Sequence, residues 1–441
     1  MPRMLPDLLR RALAPFASHR QARDGNYLML NAIVGAGAGV AFWIAVVRAF
    51  AFTPAEVGVG VAVISLATAL ALVSKLGLDA ALVRHVPRAG YRRSLRLLAL
   101  ATALGALAAV AGAALVVGGA GAFVDLGVPR AAWGAGLIAL LAALLVVTWL
   151  QDAVFLAVGE ARRIFHRNLV LHGARLLTPG LLAALALPLA VPLAWGLAVG
   201  LSALAGLVML RALPRAPAAA PTAAVPTRTF LRSAARNMAG SGAEFVPALL
   251  LPPLVLHLHG PEAAAPFGLA WAAASVLYLL SAALARSAFA EMSRGGAEAK
   301  ALRHAVRHHL AAVAPALVAA MVLGPWALRF LGEGYAAAGV GVFWLLAAST
   351  VLVAPVHLYL ALLRSREARW ELTVFPAVLV VALLSLAPVM GARFGGEGVA
   401  LAWVVVHVPL AAYAALRLHR AAQEVKLARE PSAHRGGAHL E

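Results

Sequence analysis

The run FTPAEVGVGVAVISLATALALVSKLGLDAALVRHVPR, residues 52–88, decides the fold. It opens on the elbow Thr53-Pro54-Ala55-Glu56, crosses the apolar stretch Val57–Val73, and ends in a segment carrying Lys75, Arg84 and Arg88. A second apolar stretch, Asn31–Val47, precedes it and stops at Arg48, while Arg92, Arg93 and Arg96 extend the basic segment beyond it. The physical reading is a helix leaving through a bilayer, a tight external turn, and a helix returning to a cation-rich cytoplasmic loop.

Composition supports this beyond the hairpin. The chain is 63% apolar and 12% charged, against roughly 25% charge in ordinary soluble proteins. Its 441 residues have room for about twelve spans of ~20 residues. A net charge of +19 would suit a nucleic-acid ligand, but 32 of the 37 Lys and Arg fall in segments that would lie on one side of the membrane. That asymmetry is topology, so no nucleic-acid partner is expected. It places both termini in the cytoplasm and the chain in the inner (plasma) membrane as a multi-pass protein. With no cysteine, disulfides and thiolate metal sites are excluded.

The spans read as 28–47, 57–74, 95–118, 131–150, 168–188, 190–210, 238–258, 265–285, 310–331, 338–362, 371–391 and 398–416. Segment 1–25 reads as a cytoplasmic interfacial helix on anionic lipid. Residues 26–210 make an N-lobe of six spans and 237–416 a C-lobe of six. Between them 211–236, with Pro214, Pro217, Pro221 and Pro226, reads as a semi-rigid non-helical linker, and 417–441 as a basic tail. The halves look related. Asn31 precedes Pro54 by 23 positions and Asn237 precedes Pro261 by 24, and Glu160-Ala161-Arg162 is matched by Glu367-Ala368-Arg369. The fold class expected is therefore an all-α membrane protein of two lobes related by a pseudo-two-fold axis along the membrane normal, with a central cavity.

Particular residues carry a family likeness. The Pro54-x-Glu56-x-Gly58 elbow, the Leu76-Gly77-Leu78-Asp79 corner, Leu82-Val83-Arg84 and Pro87-Arg88 resemble, in order and spacing, the first hairpin of bacterial polysaccharide flippases. Ala288–Arg294 is similar to the loop after the corresponding helix of the second half. These flippases belong to the multidrug/oligosaccharidyl-lipid/polysaccharide (MOP) exporter superfamily. The resemblance implies an alternating-access carrier that moves a polyprenyl-diphosphate-linked oligosaccharide from inner to outer leaflet for polysaccharide (lipopolysaccharide-type) biosynthesis. It also implies membrane lipid, a glycan polymerase and glycosyltransferases as partners. A cation-coupled multidrug or metabolite exporter of the same superfamily is the alternative. An enzyme is disfavoured, because the outer loops are short and no phosphate-binding Gly-x-x-x-x-Gly-Lys-Ser/Thr occurs. No cofactor is expected beyond H+ or Na+ as a coupling ion.

Glu244 is the foremost site candidate. It falls about 10 Å inside the seventh span at 1.5 Å per residue, where a lone carboxylate costs about 2.5–3.5 kcal/mol. Arg175, at matching depth in span five, is its candidate partner, with snorkelling to the headgroups as the plain alternative. Asn31 and Asn237 are expected in equivalent places near the inner ends of spans one and seven, lining the cavity or capping helices. Arg84 and Arg88 would gather an anionic headgroup at the cytoplasmic entrance. His357 and His407, within their spans, are candidates for proton coupling beside Glu244. Gly35-x-x-x-Gly39 would allow close helix approach. His304, His308 and His309 put two imidazoles one turn apart, but with no third ligand evident and arginines around them they read as a basic interfacial helix and not a metal site.

Overall fold

The structure, a computed structural model, describes residues 20–119, 132–185, 189–213, 226–238, 245–292, 298–366 and 368–427. All regular structure among them is helical: α1 Arg20–Ile44, α2 Pro54–Ser74, α3 Leu78–His85, α4 Tyr91–Gly119, α5 Ala132–Ala157, α6 Ala161–Ala184, α7 Ala190–Arg211, α8 Thr227–Asn237, α9 Val246–Leu249, α10 Leu251–Met292, α11 Glu298–Leu331, α12 Glu333–Ala348, α13 Thr350–Ser365 and α14 Arg369–Leu427. One π-helical turn, Ala45–Ala49, extends α1.

Eight of the described helices are long and apolar enough to cross a bilayer, and a ninth crossing is the pair α12 and α13, bent by 40°. Two of the eight are too long for one crossing. At 42 and 59 residues, α10 and α14 would be about 63 and 88 Å long against a hydrocarbon core of ~30 Å. Each is broken where the sequence demands a turn, α10 at Gly260 with φ +82° and α14 at Phe394-Gly395. Counting α14 as two crossings, taking α9 with α10 up to Gly260 as one and the rest of α10 as another, and adding α6, whose 24 residues carry too many polar groups for a hydropathy criterion, gives the twelve expected. The tenth departs from a simple rod, because its two helices meet at Ser349.

Two compact units result, residues 1–265 and 266–441. In the first, α2 and α5 are central, with 67% of their apolar windows buried, and α4 is peripheral at 22%. Their sequences explain the difference. Helix α2 is apolar on every side and rich in Gly, Ala and Val, so it packs on α4, α5 and α7 at once. The elbow before it is a capping box. Thr53 Oγ1 accepts from the Glu56 N–H at 3.3 Å, and the Thr53 N–H donates to Glu56 Oε2 at 2.8 Å. One turn later Gly58 faces the second elbow, where a Cβ would come within 1.8 Å of the Pro261 carbonyl oxygen. The two elbows that the sequence relates are thus in backbone contact.

The segment 211–236 is not a non-helical linker throughout. Residues 214–225 lie outside the described residues, but Thr227–Asn237 is helical. Phe230, Ser233 and Ala234 form its buried face, while Arg228, Arg232 and Arg236 are exposed one turn apart. The prolines end at Pro226, which supplies the extended residue before the first turn. Helix α8 packs on α3, with the Phe230 ring 6.2 Å from His85. Gly77 seats it. Its φ is +71° and a Cβ there would lie 2.3 Å from the Ala234 oxygen, so this corner requires glycine.

Gly35-x-x-x-Gly39 does not make a close helix contact. A Cβ at Gly39 or Gly37 would meet nothing within 4 Å, and one at Gly35 would touch His172 at an ordinary 3.6 Å. In the second unit, α13 packs against both halves of α14, and Tyr359, Leu360, Leu379 and Ala414 are among the buried residues of that core.

Candidate functional site

Helix α6 supplies most of the polar chemistry within the spans of the first unit. Arg167, Asn168, His172 and Arg175 follow one another at intervals of one, four and three, so the last three share a face. That face meets α1.

Arg167 is 2% exposed and is held from several sides. Its Nη1 lies 2.9 Å from Asp152 Oδ1 on α5 and donates to the Thr148 carbonyl at 2.6 Å. Its Nη2 donates to Asn168 Oδ1 at 2.7 Å. Asn168 Nδ2 then donates to Asn31 Oδ1 at 2.8 Å, carrying the network onto α1. Ser202 Oγ closes it on α7, donating to the Arg167 carbonyl at 3.4 Å. Four helices are thus tied by one buried cation whose charge is matched by one carboxylate. Arg167 lies one residue outside the span read from sequence as 168–188, among the loop cations; burial and the ion pair place it inside the bundle.

Two turns further on, the pattern changes. His172 is buried, and neither ring nitrogen has a hydrogen-bond partner. Arg175 is half-buried and its guanidinium lies over the Trp195 ring of α7, 5.2 Å from the centroid. Its Nε also lacks a partner, and among the described residues no carboxylate pairs with it. Pro179, one turn on, has no N–H to give to the Arg175 carbonyl. Cation–π contact offsets part of the cost of the charge, but five N–H donors on one guanidinium remain largely unspent. Among the described residues no acid matches this arginine and histidine inside the spanning helix, so their donors are left open to an anionic group.

The other expected residues are distributed differently. Asn31 joins the α6 network. Asn237 ends α8 and donates to its own helix, Nδ2 to the Ser233 carbonyl at 2.7 Å, so the two asparagines do different work. Arg84 is exposed on α3. Arg88 closes a 3-10 turn, and its side chain is not among those described. Glu244 lies outside the described residues, as do the side chains of His304 and His308.

His357 and His407 are both buried in the second unit. His357 Nδ1 is 3.1 Å from Ser281 Oγ, and His309 Nε2 reaches the Ser281 carbonyl at 3.0 Å. His407 Nδ1 donates to the Trp403 carbonyl at 2.8 Å and its ring lies 4.0 Å from that of Trp403. Trp403 Nε1 donates to Ser349 Oγ at 3.1 Å, and the Tyr278 hydroxyl lies 2.7 Å from the same oxygen. The break between α12 and α13 is therefore a hydrogen-bonding hub. At the end of α13, the Tyr359 hydroxyl donates to Glu371 Oε2 and Arg417 Nη2 to Glu371 Oε1 at 3.1 Å.

Asp152, Arg167, Asn168 and His172 were missed from sequence, and His309, read there as part of a basic interfacial helix, is buried against Ser281. Their signal was available in part. Asn168, His172 and Arg175 show helical spacing, and Asp152 interrupts an apolar run only two residues after Leu150.

No protein-family model matches the chain, and no curated protein matches it. Solved structures do. A multidrug resistance MATE family transporter of the MOP superfamily, in an inward-facing conformation, matches with a TM-score of 0.68 at 14% identity, over 89% of this chain and 95% of its own. The lipid II flippase MurJ, in an inward closed conformation, matches with a TM-score of 0.66 at 11% identity, over 92% and 90%. A MOP superfamily transporter from Pyrococcus furiosus, whose binding pocket has reversed polarity, matches with a TM-score of 0.58 at 12% identity, over 93% and 98%. The chain is an all-helical multi-span membrane protein with the fold of these transporters, about twelve helices in two lobes.

Proposed function

We propose that the protein is an alternating-access carrier that flips an anionic amphiphile, a polyprenyl-diphosphate-linked oligosaccharide, between leaflets. One observation carries this reading: Arg175 and His172 present unspent donors inside a spanning helix, with no matching acid among the described residues. A diphosphate supplies the acceptors that these groups lack. The likeness to a lipid II flippase and the basic residues Arg84, Arg92 and Arg96 on α3 and α4 agree with it, as does the first-hairpin resemblance. Both termini lie in the cytoplasm on this reading. Coupling to H+ or Na+ would fall to Glu244, or to the imidazoles of His357 and His407.

Asp152 does not offer a cation site, since Arg167 already occupies it. Glu397 does favour a second reading. With Trp344 it lines a 500 Å³ pocket between α11, α12, α13 and α14, where a carboxylate beside an aromatic ring suits an organic cation. On that reading the protein exports small cations. The two are separated by binding to purified protein. The carrier of anionic lipid binds polyprenyl diphosphate and loses at least tenfold affinity in Arg175→Gln, with Arg175→Lys retaining most of it. Unchanged affinity in Arg175→Gln would remove the basis of the first reading.

A further inference from the structure

Helices α11 and α13 and the C-terminal end of α14 enclose a groove of about 540 Å³. Its chemistry is graded along α11. At one end stand Arg303, Arg307 and, from α14, His419; beyond them the lining is mainly apolar, through Leu317 on α11 and Val351 and Leu358 on α13, with His309 and Thr350 as its buried polar residues. No acidic residue lines it, and among the described residues neither Arg303 nor Arg307 is held in an ion pair. Gln423 Nε2 donates to His419 Nε2 at 2.8 Å, a bond that puts the proton of the neutral imidazole on Nδ1.

The dimensions fit one leaflet. Fourteen residues separate Arg303 from Leu317, about 21 Å of helix. Half of a bilayer with its headgroup regions measures about the same. The apolar window of α11 begins at Ala305, so Arg303 and Arg307 bracket the headgroup level and Leu317 lies near the midplane. The wall is also open to the side, since Leu310 is 65% and Val351 63% exposed.

We propose that this groove binds an anionic phospholipid from the surrounding leaflet, its phosphate against Arg303 and Arg307 and one acyl chain along Leu317 and Val351. The site belongs to the second unit alone and does not rest on the transport reading. Charge complementarity selects the occupant. A zwitterionic lipid would bring a cationic choline to two unpaired guanidinium groups, whereas a phosphatidylglycerol headgroup brings net negative charge.

The test uses full-length protein purified in neutral detergent, titrated with phosphatidylglycerol or phosphatidylcholine of identical chains. Bound lipid is counted by native mass spectrometry and thermal stability is followed in parallel. Phosphatidylglycerol is expected to bind and raise Tm, with phosphatidylcholine at least tenfold weaker. Arg303→Gln/Arg307→Gln should lose about 30-fold in affinity, at about 1 kcal/mol per cation, and Arg303→Lys/Arg307→Lys should keep most of it. Ala354→Trp, which fills the apolar part without touching charge, should also abolish binding. Equal affinity for the two lipids, full phosphatidylglycerol binding by the Gln pair, or tighter binding of polyprenyl phosphate than of phosphatidylglycerol would overturn the assignment.

Discussion

Asp152→Ala would remove the carboxylate facing Arg167 and strand a guanidinium whose side chain is 3% exposed. Breaking a buried ion pair costs roughly 3–5 kcal/mol, chiefly because the surviving charge is left uncompensated. Two features place this pair at the lower end. Arg167 keeps the Thr148 carbonyl at 2.6 Å and Asn168 Oδ1 at 2.7 Å, and the Asp152 side chain is already 23% exposed. The expected loss is about 3 kcal/mol, or about 6 °C in Tm at ~2 °C per kcal/mol for a unit of this size. Thermal unfolding of detergent-purified protein, followed by tryptophan fluorescence, measures it. The apolar pair Asp152→Leu/Arg167→Met should lie within about 1 kcal/mol of the parent, since no charge remains to be solvated. The cycle of single and double variants isolates the coupling. If Asp152→Ala unfolds with the parent, or the double variant is no more stable than the single, Arg167 is not a buried cation held by Asp152.

Asn31→Leu removes the 2.8 Å bond from Asn168 and should cost about 1 kcal/mol, the scale of polar contacts between spanning helices, read as a Tm lower by ~2 °C. Gly77→Ala meets both a φ of +71° and the Ala234 oxygen at 2.3 Å. It should cost roughly 1–2 kcal/mol and loosen α8, so trypsin should cut sooner at Arg228, Arg232 and Arg236. Gly58→Val drives a Cβ to 1.8 Å from the Pro261 oxygen, and should cost about 3 kcal/mol or more, with loss of monodisperse protein on size exclusion. Gly37→Ala, which meets nothing within 4 Å, should be neutral or stabilising by up to ~1 kcal/mol.

Hydropathy and charge placement made the helices legible, because twenty apolar residues have few stable arrangements other than a span. The elbow at Thr53–Glu56 was readable for the same reason, being a local hydrogen-bond motif encoded within four residues. Helix α8 was misread because proline composition dominates 211–226, while the periodicity of Phe230, Ser233 and Ala234 begins after it. Arg167 was misplaced by a boundary error of about two turns. A guanidinium beside a span end looks like a topology signal until its partner is known, and Asp152 is 15 positions away. Glycine spacing at Gly35 and Gly39 was uninformative, since small residues permit close approach without requiring it. The proposed anion site at His172 and Arg175 was half visible. Arg175 stood out as a charge within a span, but that no acid among the described residues lies beside it is a tertiary fact.

The measurement nearest the central claim is leaflet transfer by purified protein in liposomes containing a labelled polyprenyl-diphosphate oligosaccharide, with and without imposed proton or sodium gradients. Transfer that requires the protein and falls at least tenfold in Arg175→Gln, while Arg175→Lys retains it, is the result expected. No transfer by the folded parent protein, together with gradient-driven efflux of organic cations that is lost in Glu397→Gln, would contradict the account.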